Sequence, residues 1–198
     1  PLVSMERDMT DVGIDSVYFD GYANAQKAVQ HLIDCGCKKI CHITGATELQ
    51  IALERIRGYE DCLKKNDMYY DREKMSGYTC MKQLLEQVPD LDGVFCGNDQ
   101  MAIGALKVLK EYGKRIPEEI KLMGYDDVFL SSVIEPSLST IHIRKRHAGI
   151  EAAKILFQRI EEQDEKYYDA IGIKMNARLV VRKSTVEDAP EDWNLVDW

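Results

Sequence analysis

Residues 93–124, GVFCGNDQMAIGALKVLKEYGKRIPEEIKLMG, contain one strand–helix–strand unit. The apolar run 93–96 predicts a buried strand, and Asn98 and Asp99 are polar residues of the kind that cap the first turn of a helix. Gly113 fits the position just after a last helical turn, where glycine adopts the left-handed conformation that ends many helices. The apolar run that closes the quoted stretch then predicts the next strand.

The same alternation of short strands and amphipathic helices extends along the whole chain. Predicted strands cover 2–5, 16–19, 39–43, 93–96, 120–124, 138–141 and 178–182, and predicted helices cover 24–35, 52–65, 76–85, 101–112 and 147–160. Strands that alternate with helices are typical of parallel sheets covered by helices on both faces. The sequence therefore predicts the α/β class.

Composition limits the classes of function. The chain has 198 residues, and its 45% hydrophobic content is enough to form the core of one large or two modest domains. Its formal net charge of -8 argues against a surface that grips nucleic-acid phosphates, so a DNA-binding unit is expected to lie elsewhere. Apolar runs of membrane-spanning length and a signal-peptide profile are absent from the sequence, so we expect no membrane association.

The cysteines favour a reducing compartment. All six lie in or beside predicted helices and strands, unlike the loop-rich framework of a small secreted domain. We therefore expect free thiols and a cytoplasmic location. Three thiols and an imidazole occur within Cys35–His42, but structural zinc sites use paired knuckles, and strand neighbours Cys41 and His42 point to opposite faces. We expect no metal and no cofactor.

Polar residues follow three predicted strands. Asn98 follows the strand at 93–96, Asp126 follows the strand at 120–124, and Arg55 lies in the segment after a third strand. Ligands of open α/β sheets bind at the carboxyl ends of the strands. A carboxylate, a carboxamide and a guanidinium together match the hydroxyls of a sugar, which both donate and accept hydrogen bonds. The alternative is that Asn98 only caps a helix and Asp126 only shapes a turn.

Several motifs in order resemble the LacI/GalR family of bacterial transcription regulators. The clearest are NDQMAIGA at 98–105, IPEEIKLMGYDD at 116–127 and PSLSTI at 136–141. Asp20, HLIDCG at 31–36, RIRGY at 55–59 and ARLVVRKST at 177–185 fit the same register. The resemblance covers nearly the whole chain.

The resemblance implies a clamshell of two parallel-sheet lobes like that of periplasmic sugar-binding proteins. It implies that a carbohydrate-like effector binds in the cleft and changes operator affinity, and that the protein is a homodimer. By position in the motifs, Arg55 and Asp126 are the first candidates for effector contacts, followed by Asn98. Asp20 and Tyr22 fall where the first cleft loop of the family contributes contacts. Ile143 stands where sugar-responsive members place a glutamine, so we expect a less hydroxylated effector.

The resemblance also predicts how the chain is divided. Residues 1–22 match a remnant of the N-terminal lobe, 23–141 the C-terminal lobe, 142–168 a helix of the N-terminal lobe, 169–185 a return to the C-terminal lobe, and 186–198 an acidic tail. The C-terminal lobe is therefore expected to be nearly complete and the N-terminal lobe partial, with the DNA-binding headpiece absent. Between Met68 and Gly77 the chain is about ten residues shorter than the family spacing.

Two other classes of function compete with a regulator. A solute-binding protein of a sugar importer would share the fold and the cleft. The run 116–120 and the ending at 182–185 favour the regulator, and the six cysteines disfavour the periplasm. An enzyme would need a nucleophile elbow, a phosphate-binding glycine loop or a cofactor motif, and the sequence contains none of these, so we expect no catalytic activity.

Overall fold

The computed structural model describes residues 1–68, 78–162 and 169–190. The strands are β1 (Val3–Glu6), β2 (Asp15–Phe19), β3 (Ile40–Ile43), β4 (Gly93–Cys96), β5 (Lys121–Met123), β6 (Thr140–Ile143), β7 (Gly172–Met175) and β8 (Ala177–Val180). The helices are α1 (Gly21–Asp34), α2 (Gln50–Lys65), α3 (Tyr78–Gln87), α4 (Asp99–Glu111), α5 (Leu130–Val133) and α6 (Lys145–Glu161), with a 3-10 turn at Thr10–Val12. Helices and parallel strands alternate, so the predicted α/β class is confirmed.

The chain forms two compact units. Among the described residues, unit 1 contains Pro1–Asp20 and Ile143–Ala177, and unit 2 contains Gly21–His142 and residues 178–190. Residues 169–177 were expected to return to the C-terminal lobe, and the structure places them in unit 1 instead. The reason is that β7 pairs in parallel with β2, with Ser16 opposite Gly172.

Unit 1 is a three-stranded parallel sheet in the order β1-β2-β7, against which α6 packs. A buried ion pair fixes the helix to the sheet. The Asp15 carboxylate accepts hydrogen bonds from Arg159 Nε at 2.9 Å, Arg159 Nη2 at 3.0 Å and the Ile171 N–H at 2.7 Å. Hydrogen bonding to Arg159 holds the pKa of the Asp15 carboxyl below its usual value. One carboxylate thus ties β2, α6 and the approach to β7 together.

Unit 2 contains a parallel sheet in the order β3-β4-β5, with Ile40 opposite Gly93 and Gly93 opposite Lys121. Its fully buried side chains come from the strands and from the helices on either side, and include Leu32, Ile43, Leu63, Met81, Phe95, Leu109 and Leu122. Helices α1 and α2 pack so closely that a Cβ at Gly58 would lie 2.3 Å from the Tyr22 carbonyl oxygen. Only glycine fits at that contact.

The ARLVVRKST ending is hydrogen-bonded to strand β5 of this sheet. The Leu122 N–H donates to the Ser184 carbonyl at 2.9 Å, and Ser184 Oγ donates to the Leu122 carbonyl at 2.6 Å. Ser139 Oγ bonds Thr185 Oγ1 at 2.6 Å, and all three of these hydroxyl residues are buried. The serine and threonine of the family signature are therefore hydrogen-bonded parts of the core.

Some predictions fall outside the described residues. The short segment between Met68 and Gly77, the start of the helix predicted at 76–85 and most of the acidic tail belong to this group. In the described start of the predicted tail, Ala189 is buried. Along the described part of the chain, every helix is too short or too polar to cross a membrane.

Candidate effector site in unit 2

The carboxyl ends of three parallel strands meet at one edge of the unit 2 sheet. Thr44 follows β3, Gly97 follows β4 and Gly124 follows β5. A cavity of about 170 Å³ opens at this edge, lined on its polar side by Thr44, Arg55 and Asn98 and on its apolar side by Leu49, Ile51 and Met101. This edge is where open α/β sheets bind ligands, and the structure brings Arg55, Asn98 and Asp126 to it.

Arg55 projects from the second turn of α2 and is held from three sides. Its Nη1 donates to the Gly97 carbonyl at 2.5 Å, its guanidinium carbon lies 3.7 Å from the centre of the Tyr125 ring, and its Nη2 is 3.9 Å from Asp126 Oδ1. The guanidinium is thereby oriented before any ligand arrives, so little side-chain entropy is lost on binding. The side chain remains 15% exposed.

Tyr125 is a support for Arg55 that the sequence reasoning did not identify. It is 1% exposed, and its hydroxyl accepts a hydrogen bond from the Asn24 amide at 3.3 Å. Burial raises the pKa of the phenol, so the ring stays neutral. A cation over a neutral aromatic face is stabilised by roughly 0.5–2 kcal/mol. The sequence signal for this role was an aromatic residue directly before the two aspartates of the GYDD motif at 124–127.

Asp126 lies in a turn whose backbone is unusual. Its φ is 104° and that of Asp127 is 51°, so two consecutive non-glycine residues adopt positive φ. Such conformations cost about 1–3 kcal/mol each and persist where the surrounding structure fixes them. Here the Asp126 N–H donates to the Ile141 carbonyl at 2.9 Å. The turn leaves the Asp126 side chain 25% exposed beside Arg55, which lines the cavity.

Asp99 holds this turn from beneath. Its N–H donates to the Tyr125 carbonyl at 2.8 Å, and its carboxylate accepts from the Val128 N–H at 2.8 Å and from two hydroxyls, Ser131 at 2.7 Å and Thr140 at 2.6 Å. Burial raises the pKa of this carboxyl. A Cβ at Gly124 would lie 2.2 Å from Asp99 Oδ1, so glycine is required there.

Asn98 has the capping role that sequence analysis offered as the alternative, and it also lines the cavity. Its Oδ1 accepts a hydrogen bond from the Met101 N–H at 2.9 Å, which caps α4. The same side chain borders the cavity beside Arg55. The two interpretations are therefore compatible, because capping uses the amide oxygen and leaves the amide nitrogen as a donor.

The remaining two predicted contacts lie in other surroundings. Asp20 belongs to unit 1, where its carboxylate forms an ion pair with Lys174. Tyr22 lies on α1, and its hydroxyl donates to Asp61 and accepts from Gln26, each at 3.1 Å. Within unit 2, the bond to Asp61 directs the Tyr22 hydroxyl toward α2, where Asp61 lies six residues beyond Arg55.

His42 lies on β3 among aromatic rings, as an ordinary strand residue. Its ring stacks on Phe95 at 4.7 Å between centroids and lies 5.2 Å from Tyr59. Burial lowers the pKa of His42 to about 3, so it is neutral near pH 7. In the described ranges the six cysteines are free, and the structure places no group of three His, Cys, Asp or Glu residues where a metal could be held.

Residues 29–185 match the model of the periplasmic binding protein-like domain. The chain belongs to this family. A relative named HTH-type transcriptional repressor PurR, from Haemophilus influenzae, is 38% identical over 183 residues, which are 88% of this chain and 53% of the relative. The chain thus spans about half the length of the curated relatives it matches.

Solved structures of related regulators have the same fold as this periplasmic binding protein-like domain. A complex of the transcriptional regulator CelR with cellobiose gives a TM-score of 0.84 at 29% identity, over 93% of this chain and 58% of that chain. A LacI transcriptional regulator from Alkaliphilus metalliredigens, complexed with D-xylulofuranose, gives 0.80 at 25% identity, over 94% and 71%. The predicted resemblance to LacI-type effector domains is confirmed.

Proposed function

We propose that this chain is the effector-sensing part of a LacI/GalR-type transcription regulator and that its unit 2 site binds a small carbohydrate-like effector. Relatives named as repressors and regulators support the class of protein. The solved relatives with cellobiose and D-xylulofuranose support the class of ligand.

The observation that carries the proposal is the preset Arg55 guanidinium beside Asp126. The Gly97 carbonyl and the Tyr125 ring hold Arg55, whereas its 3.9 Å contact with Asp126 is longer than a hydrogen bond. A ligand hydroxyl that accepts from Arg55 and donates to Asp126 would join the two groups. Asn98 would add a donor from the same side, and Leu49 and Ile51 would cover an apolar face of a sugar ring.

The remaining contacts and partners follow from the family. Asp20 and Tyr22 are proposed as further effector contacts, as the family resemblance implies. The buried Ile143 fits an effector with fewer hydroxyls. Operator DNA would bind through a headpiece outside this chain, in a cytoplasmic homodimer. A coupling of about 1–3 kcal/mol between effector and operator is sufficient for such a switch.

The test is a ligand screen on the complete gene product. Thermal shifts are measured with cellobiose, xylulose, other sugars, sugar phosphates and purines, and operator release is followed by fluorescence anisotropy. We expect at least one carbohydrate to raise the unfolding temperature and change operator affinity, and Arg55→Ala and Asp126→Ala to weaken both effects about tenfold or more.

Arg57→Ala is the matched control, because Arg57 is an exposed arginine on the same helix. It should respond to the carbohydrate like the unaltered protein. The site assignment fails if the two site variants respond as Arg57→Ala does, and the carbohydrate proposal fails if only purines or phosphates produce a shift.

A further inference from the structure

Asp127, the neighbour of Asp126, points into the protein rather than toward the cavity. Its Oδ1 accepts a hydrogen bond from Arg182 Nη1 at 2.7 Å, and its Oδ2 lies 2.8 Å from His142 Nδ1. The three side chains are 3–5% exposed. We call Asp127, His142 and Arg182 the buried triad.

Protonation of the triad follows from its hydrogen bonds. Burial by itself would raise the pKa of Asp127, yet the bonds from His142 and Arg182 outweigh it and leave that pKa below its usual value. The carboxylate is therefore ionised near neutral pH and accepts from both partners. Since it accepts, the proton between Asp127 and His142 lies on Nδ1.

The triad joins three segments that are distant in sequence. Asp127 lies in the turn after β5, His142 lies in β6, and Arg182 follows β8 by two residues. His142 is the last residue of unit 2 before the chain enters unit 1, and the chain returns to unit 2 at Arg178. Arg182 Nη1 also donates to the Leu138 carbonyl at 2.9 Å, which fixes the segment before β6.

The turn that carries Asp127 also carries Asp126. With positive φ at both residues, the turn leaves Asp126 partly exposed beside Arg55 and buries Asp127 in the interior. The backbone also connects this turn to β6. Asp126 forms a parallel β-bridge with His142, and the Asp126 N–H donates to the Ile141 carbonyl. The position of Asp126 therefore depends on the segment that His142 and Arg182 hold.

We propose that Asp127, His142 and Arg182 are positioning residues of the effector site, which set Asp126 opposite Arg55 and clamp the Asp126 turn to both segments where the chain passes between the units. Contact between the effector and Asp126 is then coupled to how rigidly those two segments are held. The inference rests on the proposed effector site but adds residues that do not touch the effector.

Two substitutions of His142 test the link by hydrogen exchange. His142→Leu removes the donor to Asp127, whereas His142→Asn keeps a donor at the place of Nδ1. We expect His142→Leu to speed exchange of the Asp126 N–H and of the amides at 140–142 and 178–180 by about tenfold or more. His142→Asn should bring exchange back to within about threefold of the unaltered protein.

Asp15→Asn is the matched control, because Asp15 is also a buried carboxylate paired with an arginine, Arg159, but lies in unit 1. It should speed exchange around β2, β7 and α6 and leave the Asp126 N–H unchanged. If His142→Leu does not fold, Arg182→Lys gives a milder change, for which we expect about three- to tenfold faster exchange at the same amides.

Cellobiose serves as the probe of binding. We expect His142→Leu to weaken its affinity about tenfold, His142→Asn to restore it, and the loss to disappear in an Asp126→Asn background, where no positioned carboxylate remains. Unchanged exchange at Asp126 in His142→Leu and Arg182→Lys, or failure of His142→Asn to restore exchange, overturns the inference. If the unaltered protein binds no sugar, the proposed function fails, while the exchange experiment still decides the positioning role.

Discussion

Two arginine–aspartate pairs use neighbouring aspartates and differ in almost every other respect. Arg55 and Asp126 are 15% and 25% exposed and stand 3.9 Å apart, and Arg182 and Asp127 are each 3% exposed and 2.7 Å apart. Arg55 of the first pair lines a cavity at the carboxyl ends of the strands. The second pair is buried, and His142 contacts its aspartate.

The comparison shows how one turn serves binding and structure together. A widely spaced, partly exposed pair contributes little to stability, so a ligand can replace the contact between its groups at small cost. A buried pair is strongly destabilising to break, because the remaining charge has no water around it. Adjacent residues therefore separate the two roles, and substitutions in each pair should separate ligand affinity from stability.

The largest effect is expected when the buried pair is broken. Arg182→Met leaves the Asp127 carboxylate buried with one partner fewer and removes the bond to Leu138, so we expect a loss of about 3–5 kcal/mol in the free energy of unfolding. Urea unfolding followed by circular dichroism measures it. A loss below about 1 kcal/mol would show that the two pairs are energetically alike.

Acid should destabilise the protein through His42, which lies on β3 among aromatic rings. Its pKa is about 3 in the folded state and near the ordinary 6.5 when unfolded, so the unfolded chain binds the extra proton between those values. Stability is then complete above pH 6.5 and falls with pH, by at most about 1.4 kcal/mol per pH unit. The lowered pKa values of Asp15 and Asp127 add losses only at more acidic pH.

Thermal unfolding between pH 7 and pH 5 checks this dependence. His42→Phe keeps an aromatic ring against Phe95 and has no titrating group, so its stability should fall less steeply over this range. Equal slopes for the two proteins would contradict the assignment to His42.

Asn98 tests the boundary between the two roles within one side chain. Asn98→Ala removes the cap of α4 and should cost about 1 kcal/mol of stability, whereas Asn98→Ser keeps an oxygen for the Met101 N–H and should cost a few tenths. Both lose the amide donor, so both should weaken effector binding. If Asn98→Ser binds the effector normally, Asn98 is only a cap.

A small effect on stability is expected at the partly exposed pair, Arg55 and Asp126. Arg55→Met loses the bond to Gly97 and the contact with Tyr125, and Asp126 can hydrate, so we expect a change of about 1 kcal/mol or less. The same urea titration compares it directly with Arg182→Met. A loss near that of Arg182→Met would mean that Arg55 is mainly a structural residue.

Sequence reasoning was most successful where local chemistry decides the structure. Apolar runs and glycine stops predicted β3, β4, β5 and the helices between them, and the end-of-strand rule brought Arg55, Asn98 and Asp126 together. It missed β7, because half of that strand is exposed and its pattern Gly-Ile-Lys-Met lacks a continuous apolar run. Strand β7 is fixed by its pairing with β2, which is distant in sequence.

The sequence by itself determined the α/β class, the family and the candidate residues Arg55, Asn98 and Asp126, because short-range patterns and motif order carry that information. Only the tertiary structure decided that Asp126 is partly exposed beside Arg55 while Asp127 is buried with His142 and Arg182. Two identical neighbouring side chains have no local difference that predicts this. Their roles follow from which distant segments pack on each side of the turn, and that packing is decided when the whole unit folds.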